Sequence, residues 1–440
     1  MARIVRNMLW LASSRGLGAV LSILYLGIAT RTLGVDQFGR FALVLSIGAT
    51  IATIVQFDCW RAILRFGPGY LHDGREDRLG SLTALSRLFE VGAAVFGCLA
   101  AGIIFWALTR YAGWQRDIAL MGFIYCCFLL LSVRSTPQGL LRLHNRFDLG
   151  AYADMLTPIA RMAGALAVVF VFKPDVVAFL AAWALSEVVT AAGYWLIAAT
   201  VDREALALHH NRGVGALLRE EKELFSFLGT LNIGLTLTGA ARQAPVLMLG
   251  AFVSPAAAGL FRLAFQLTNA LAKIANLLAR AAYAEFNHVR ARGGNEAVRK
   301  LLGQTNRVMT VAAIVMIVVA AGLGKQILWL VSGPEFVAAY PLLVILGFAT
   351  AVDFLALSNE PALLSATDGK VVLRVRIVAM AVLFAMLGLL APALGAKGAA
   401  FAMLASSIAA LLLFTLAVRR HVHGRPDDDQ EVAVSNPPRY

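Results

Sequence analysis

Three cations recur in the otherwise oily stretch "LFRLAFQLTNALAKIANLLAR", Leu260 to Arg280: they are Arg262, Lys273 and Arg280. On a helix turning 100° per residue, their steps of 11 and 7 residues bring all three to within about 20° of one another. Gln266, Asn269 and Asn276 fall within about 40° of the same line, while Leu267, Leu271 and Ile274 take the rest of the surface. Cations flanked by amides suit a ligand that carries both phosphate and hydroxyl groups. Arg262 and Arg280 stand 18 residues apart, roughly 27 Å along the axis and close to the thickness of a bilayer's hydrocarbon. The stripe therefore predicts a lined path rather than one pocket. The plainer alternative is that both arginines snorkel toward opposite headgroup layers while Lys273 pairs with an acid such as Glu187 or Asp353.

The same question arises wherever a charge interrupts an apolar run. The runs hold Arg15, Arg87, Arg134, Arg161, Arg242, Arg262, Lys273 and Arg280 against only Glu90, Asp154, Glu187 and Asp353. Each such charge costs a few kcal/mol or more near the bilayer centre, so it usually faces a bundle interior or water. Arg15 sits among Ala12, Gly16 and Gly18, small surfaces that allow close helix packing. Arg161 follows Pro158, which opens its helix locally. Arg87 and Glu90 are spaced to neutralise one another as readily as to meet a ligand. Glu187 and Asp353 are candidates for ion coupling, or for simple balance of an arginine.

The elements that must carry these residues follow from composition. With 59% hydrophobic and 15% charged residues among 440, the chain is far more apolar than a soluble domain, which carries about 25% charge. Twelve stretches are long enough to cross a membrane: residues 7–30, 38–58, 82–108, 117–137, 151–172, 176–200, 225–251, 256–281, 305–324, 337–358, 371–390 and 395–418. The expected fold is an all-α polytopic membrane protein whose helices form two six-helix lobes around a central cavity.

Lys and Arg collect in cytoplasmic loops. With the amino terminus inside, the inner segments hold 23 of these residues and the outer segments 7, so both termini are expected in the cytoplasm. The bias accounts for much of the net charge of +13 without nucleic acid as a partner. The four cysteines fall in or beside apolar spans, and the seven histidines lack metal-ligand spacing, so no disulfide framework, metal or cofactor is expected.

The polar stretch 201–224, "VDREALALHHNRGVGALLREEKEL", separates an N-lobe (1–200) from a C-lobe (225–420), and the proline-bearing tail 421–440 has no apolar period and is expected to be disordered in the cytoplasm. At an offset of 220 residues Gly39, Phe41 and Leu43 fall on Gly259, Phe261 and Leu263, and Arg87 falls on Arg307. Six spans per half put two such repeats in one orientation about an axis along the membrane normal.

"RTLGVDQFGRFAL", its later counterpart "GAFVSPAAAGLFRLAFQL", and "VSGPEF" resemble the polysaccharide flippases of the multidrug/oligosaccharidyl-lipid/polysaccharide exporter superfamily over about residues 1 to 420. Val35 and Asp36 stand where that family often has Pro-Glu, and "SPAAAG" lacks the acid found there, which weakens any role for those loop acids. The resemblance implies a MATE-like, two-lobed transporter of the bacterial inner membrane. Its cargo would be an undecaprenyl-diphosphate-linked oligosaccharide carried from the inner to the outer leaflet, with polysaccharide-assembly proteins as partners. The substrate would meet Arg262, Lys273, Arg280, Arg15, Arg161, Gln266, Asn269 and Asn276. A MATE-type drug or metabolite antiporter is the main alternative, although eight cations against four acids repel cationic cargo. A membrane glycan polymerase or ligase wants a substantial outer loop with catalytic residues, and the outer loops are short.

Overall fold

Inside a bilayer the backbone of an apolar run has only itself to bond, so such runs fold as helices. The computed structural model describes residues 2–206, 222–270, 272, 306–307, 309–366 and 370–421. Every regular element among the described residues is helical. In chain order they are α1 (Ala2–Val55), α2 (Cys59–His72), α3 (Glu76–Tyr111), α4 (Arg116–Leu131), α5 (Ser135–Leu143), α6 (Phe147–Phe170), α7 (Val176–Val201), the single turn α8 (Arg203–Leu206) and α9 (Lys222–Phe252). These are followed by α10 (255–270), α11 (Met309–Ser332), α12 (Tyr340–Ala366), α13 (Lys370–Leu394) and α14 (Ala396–His421).

Nine helical stretches among the described residues are long and apolar enough to cross a membrane, and the first, Gly16–His72, takes in most of the first two expected spans. The seventh expected span coincides with α9, and the eighth begins on α10 and continues outside the described residues. Most of the linker, 207–221, and the tail beyond His421 also lie outside them.

Local structure departs from the expected spans in three places. The first two spans form one continuous helical element, α1, kinked at Gly34, whose φ of 68° and ψ of 179° belong to a region open essentially to glycine alone. The segment after the second span, expected as a loop, is helical: α2 buries Cys59, Ala62, Ile63 and Gly67 along one stripe. That stripe packs on Leu79, Leu82, Leu140 and Leu143 of α3 and α5. The fourth span is broken between Leu131 and Ser135, where Val133 and Arg134 leave the helix.

The chain divides into two compact units, Met1–Gly259 with Val331–Glu335, and Leu260–Leu330 with Phe336–Tyr440. In the first, α6 and α7 pack on each other and on α1. The flanks of the polar linker belong to this same unit. On its far side, α9 joins α1 through Thr236 Oγ1, which donates to the carbonyl of Thr53 at 3.0 Å, and Asn232 Nδ2, which donates to that of Ile54 at 3.3 Å. Part of the "VSGPEF" motif also belongs here, with Arg31 Nε donating to the Val331 carbonyl at 3.1 Å. In the second unit α14 packs along α12 and α13, burying Leu363, Val375 and Phe414. A π-helical turn over Val319–Leu323 interrupts α11, and Tyr340 donates from its hydroxyl to the Ala321 carbonyl at 2.7 Å.

Candidate functional site

The α6–α7 seam is apolar except for polar side chains that recur every three or four residues on each helix, so they face one another. Tyr194 donates to Asp154, Thr157 and Thr190 share a 2.9 Å hydrogen bond, and Arg161 meets Ser186 and Glu187 one turn further along. Glu187 is the centre of the arrangement. Its side chain is 3% exposed, yet it accepts from two guanidinium groups: Arg161 Nη2 on Oε1 at 2.6 Å and Arg134 Nη1 on Oε2 at 3.1 Å.

Two cations on one anion leave the Glu187 cluster itself at +1, with Asp154, bonded by Tyr194 two turns along the same seam, as the next acid. Arg161 is fixed by further contacts. Its Nε donates to Ser186 Oγ at 3.3 Å, and its guanidinium carbon lies 5.7 Å from the Trp183 ring and 6.0 Å from that of Tyr25. Those two rings meet edge to face at 5.3 Å, and Phe41 and Phe179 complete the aromatic wall around Trp183. Arg134 is held differently. It sits at the break between α4 and α5, its side chain is 39% exposed, and one of its guanidinium nitrogens reaches Glu187. The break is itself supported, because Trp195 Nε1 donates to the Val133 carbonyl at 2.8 Å. A planar fork with one edge anchored and the rest accessible matches the requirement for gripping a phosphate.

Among the residues expected at a site, Arg161 and Glu187 are thus brought together, with Glu187 serving as counter-charge. Arg134, counted among the intramembrane cations, joins them although its spacing had not marked it as a ligand. The Ser135-Thr136-Pro137 run beside it is a helix-start signal inside an apolar span, and such breaks border transport sites. On α10, Arg262, Gln266 and Asn269 lie on the accessible side, while Phe261, Leu263, Ala264, Leu267 and Thr268 are buried. Asn269 Nδ2 donates to the Phe265 carbonyl at 2.8 Å. Lys273, Asn276 and Arg280, and the side chain of Arg15, lie outside the described residues. Asp353 is on an exposed face of α12, without an ion pair among the described residues. Arg87 and Glu90 form no direct ion pair: Arg87 Nη1 donates to the Leu206 carbonyl at 2.9 Å, and Glu90 Oε1 accepts from Thr136 Oγ1 at 3.0 Å. Beside them an open apolar groove of about 660 Å³ runs between the end of α1 and α3, lined by Ile54, Phe57, Leu88 and Phe96.

The family model described as "Polysaccharide biosynthesis protein" matches residues 4–284. The chain belongs to this family, as its motifs implied. It is similar to the inner membrane protein YghQ of Escherichia coli (strain K12), with 26% identity over 342 residues that cover 77% of this chain and 95% of that protein. Its fold is that of the superfamily's solved transporters. An inward-facing multidrug resistance MATE family transporter of the MOP superfamily superposes with a TM-score of 0.73 at 15% identity, covering 92% of this chain and 95% of the other. The lipid II flippase MurJ in an inward closed conformation gives 0.70 at 10% identity, covering 93% and 87%.

Proposed function

We propose that this chain carries an undecaprenyl-diphosphate-linked oligosaccharide from the cytoplasmic to the outer leaflet of the bacterial inner membrane by alternating access, for surface or exopolysaccharide biosynthesis. The observation that carries the proposal is the pair of arginines on Glu187. A single buried acid holds two guanidinium groups in place, and Arg134 is the more accessible of the two. A diphosphate would give the accessible edge of Arg134 an anionic partner. On α10 the amides of Gln266 and Asn269 stand in line with Arg262, side chains of the kind a sugar requires. Lys273, Asn276, Arg280, Arg15 and Arg161 are the further residues proposed to meet the substrate. The apolar groove beside α3 accords with a cargo whose long hydrocarbon tail stays in the bilayer. Both termini would face the cytoplasm, where most loop cations lie, and polysaccharide-assembly proteins would receive the cargo.

Export of cationic drugs, the alternative raised by a fold shared with a multidrug resistance transporter, fits the charge less well. Surplus arginine repels such cargo. The test is movement of a fluorescent undecaprenyl-diphosphate disaccharide across vesicles containing the full chain, compared with Arg134→Ala and Lys273→Ala. Wild-type movement that both variants reduce is the expected result. Undiminished movement in both removes these cations from the mechanism, and efflux of a cationic dye without movement of the lipid would replace the proposal with drug export.

A further inference from the structure

Glu187 is one of two buried acids among the described residues of the first unit, and the second is arranged in the opposite way. Glu90 on α3 is 5% exposed and has no ion pair among the described residues. Its Oε1 accepts from Thr136 Oγ1, and no protein group bonds its Oε2. Within one turn of the same helix Ser86 Oγ and Arg87 Nε and Nη2 are likewise buried without hydrogen-bond partners. Ser86, Arg87 and Glu90 thus carry unmet donors or acceptors inside an apolar bundle, each a cost of about 1–3 kcal/mol unless something small and polar answers it.

The charged and titratable groups that face Glu90 are few. Arg87, on α3 itself, is turned to the Leu206 carbonyl of α8 and to the ring of Trp195 on α7, 6.0 Å away. From α2 comes the Cys59 thiol, which faces Glu90 directly and lies 3.8 Å from the Ser86 carbonyl, and Asp58 before it is tied to Arg61 at 3.1 Å. From α5 comes Thr136, and Arg134 just ahead of it is tied to Glu187. No cluster of three metal-ligating side chains exists among the described residues, and a second cation would meet Arg87. The smallest cation fits best.

We propose that Glu90 is a proton-binding site, taking up a proton on Oε2 from the aqueous phase and returning it there, and that its charge is transmitted to Arg134 through the start of α5. This rests on the transport reading for its purpose, though not for the site itself. The path is short. Thr136 bonds Glu90 and stands two residues from Arg134, which bonds Glu187, so the break in the fourth span joins the two acids. A hydroxyl donates more strongly to a carboxylate than to a neutral acid. An ionised Glu90 therefore holds the first turn of α5, and a protonated one relaxes its hold on the segment that presents Arg134 to cargo.

The full chain in phosphatidylethanolamine–phosphatidylglycerol vesicles, titrated from acid to alkaline pH, should show an infrared carboxylic-acid C=O band that disappears on deprotonation. Glu90→Gln should lack that component and Glu90→Asp should retain one with a shifted midpoint. Thr136→Val, which leaves the acid in place, should also shift the midpoint. An identical titration in wild type, Glu90→Gln and Thr136→Val overturns the proposal. If Glu90→Gln does not insert, Thr136→Val decides alone, with an unmoved midpoint counting against the site. In a second arm, a pH gradient should alter the rate at which wild type moves the fluorescent lipid and leave that of Glu90→Gln unchanged. Equal sensitivity in the two overturns the link to Arg134. A titrating band in a protein that moves no such lipid leaves the proton site standing and refutes the cargo reading.

Discussion

Gly259 lies directly against Gly39: a methyl group on Gly259 would come within 2.9 Å of Gly39 Cα and 3.1 Å of the Val35 carbonyl oxygen. On the other side, a methyl on Gly39 would fall 1.9 Å from the Pro255 carbonyl oxygen. These glycines are the pair that the 220-residue offset matched within "FGRFAL" and "AGLFRL". They are positions of the two motifs at which backbones meet without side chains between them.

Gly39→Ala and Gly259→Ala should therefore both destabilise the protein, by about 1–3 kcal/mol for an overpacked contact and by more where rigid backbone cannot give way. Gly69→Ala, with nothing within 4 Å of the added methyl, is the control that should not. Thermal unfolding in detergent measures the difference.

Gly34 tests conformation rather than space. Its φ of 68° with ψ of 179° strains any L side chain, and Gly34→Ala should cost about 1–3 kcal/mol through that alone. Its methyl would meet only the Glu335 carboxylate, at an ordinary 3.4 Å. Combining Gly34→Ala with Glu335→Ala should not restore stability. Restoration would show that crowding, not the backbone, sets the cost.

Glu187→Gln removes the counter-charge of two guanidinium groups. Breaking a buried pair in this way costs about 3–5 kcal/mol, because the partner charges remain. The variant should unfold at a distinctly lower temperature than wild type. Adding Arg134→Ala to it should recover part of the loss by removing one stranded cation.

Arg134 and Arg161 should separate stability from transport. Arg161 is fixed by Ser186, Glu187 and an aromatic wall, whereas Arg134 is 39% exposed. Arg161→Ala should lower both thermal stability and lipid movement. Arg134→Ala should lower movement roughly tenfold or more, as one charge-assisted contact contributes about 1.5–3 kcal/mol, and change stability less. The two measurements on the same preparations decide it.

The helical class, the spans and the accessible polar line on α10 were legible because they depend on local periodicity. A helix of sufficient apolar length in hydrocarbon has few alternatives. Arg262, Gln266 and Asn269 share a face whatever surrounds them. What depended on distant partners was not legible. Glu187 lies 53 residues from Arg134 and 26 from Arg161, so whether it balances one cation or two is decided by how α5, α6 and α7 pack. The i,i+3 spacing of Arg87 and Glu90 suggested mutual neutralisation, yet each is drawn to another helix, to Leu206 and Thr136. The helicity of α2 was hidden by its arginines and Pro68, although its buried stripe of Cys59, Ala62, Ile63 and Gly67 has a helical period.

Because α9 bonds to the end of α1 through Thr236 and Asn232, the polar stretch between Leu206 and Lys222 joins two parts of one unit. A nick there severs a covalent tether and leaves every one of these contacts in place. The protein should tolerate being expressed as two polypeptides divided in that stretch, the pieces finding each other in the bilayer and purifying as one.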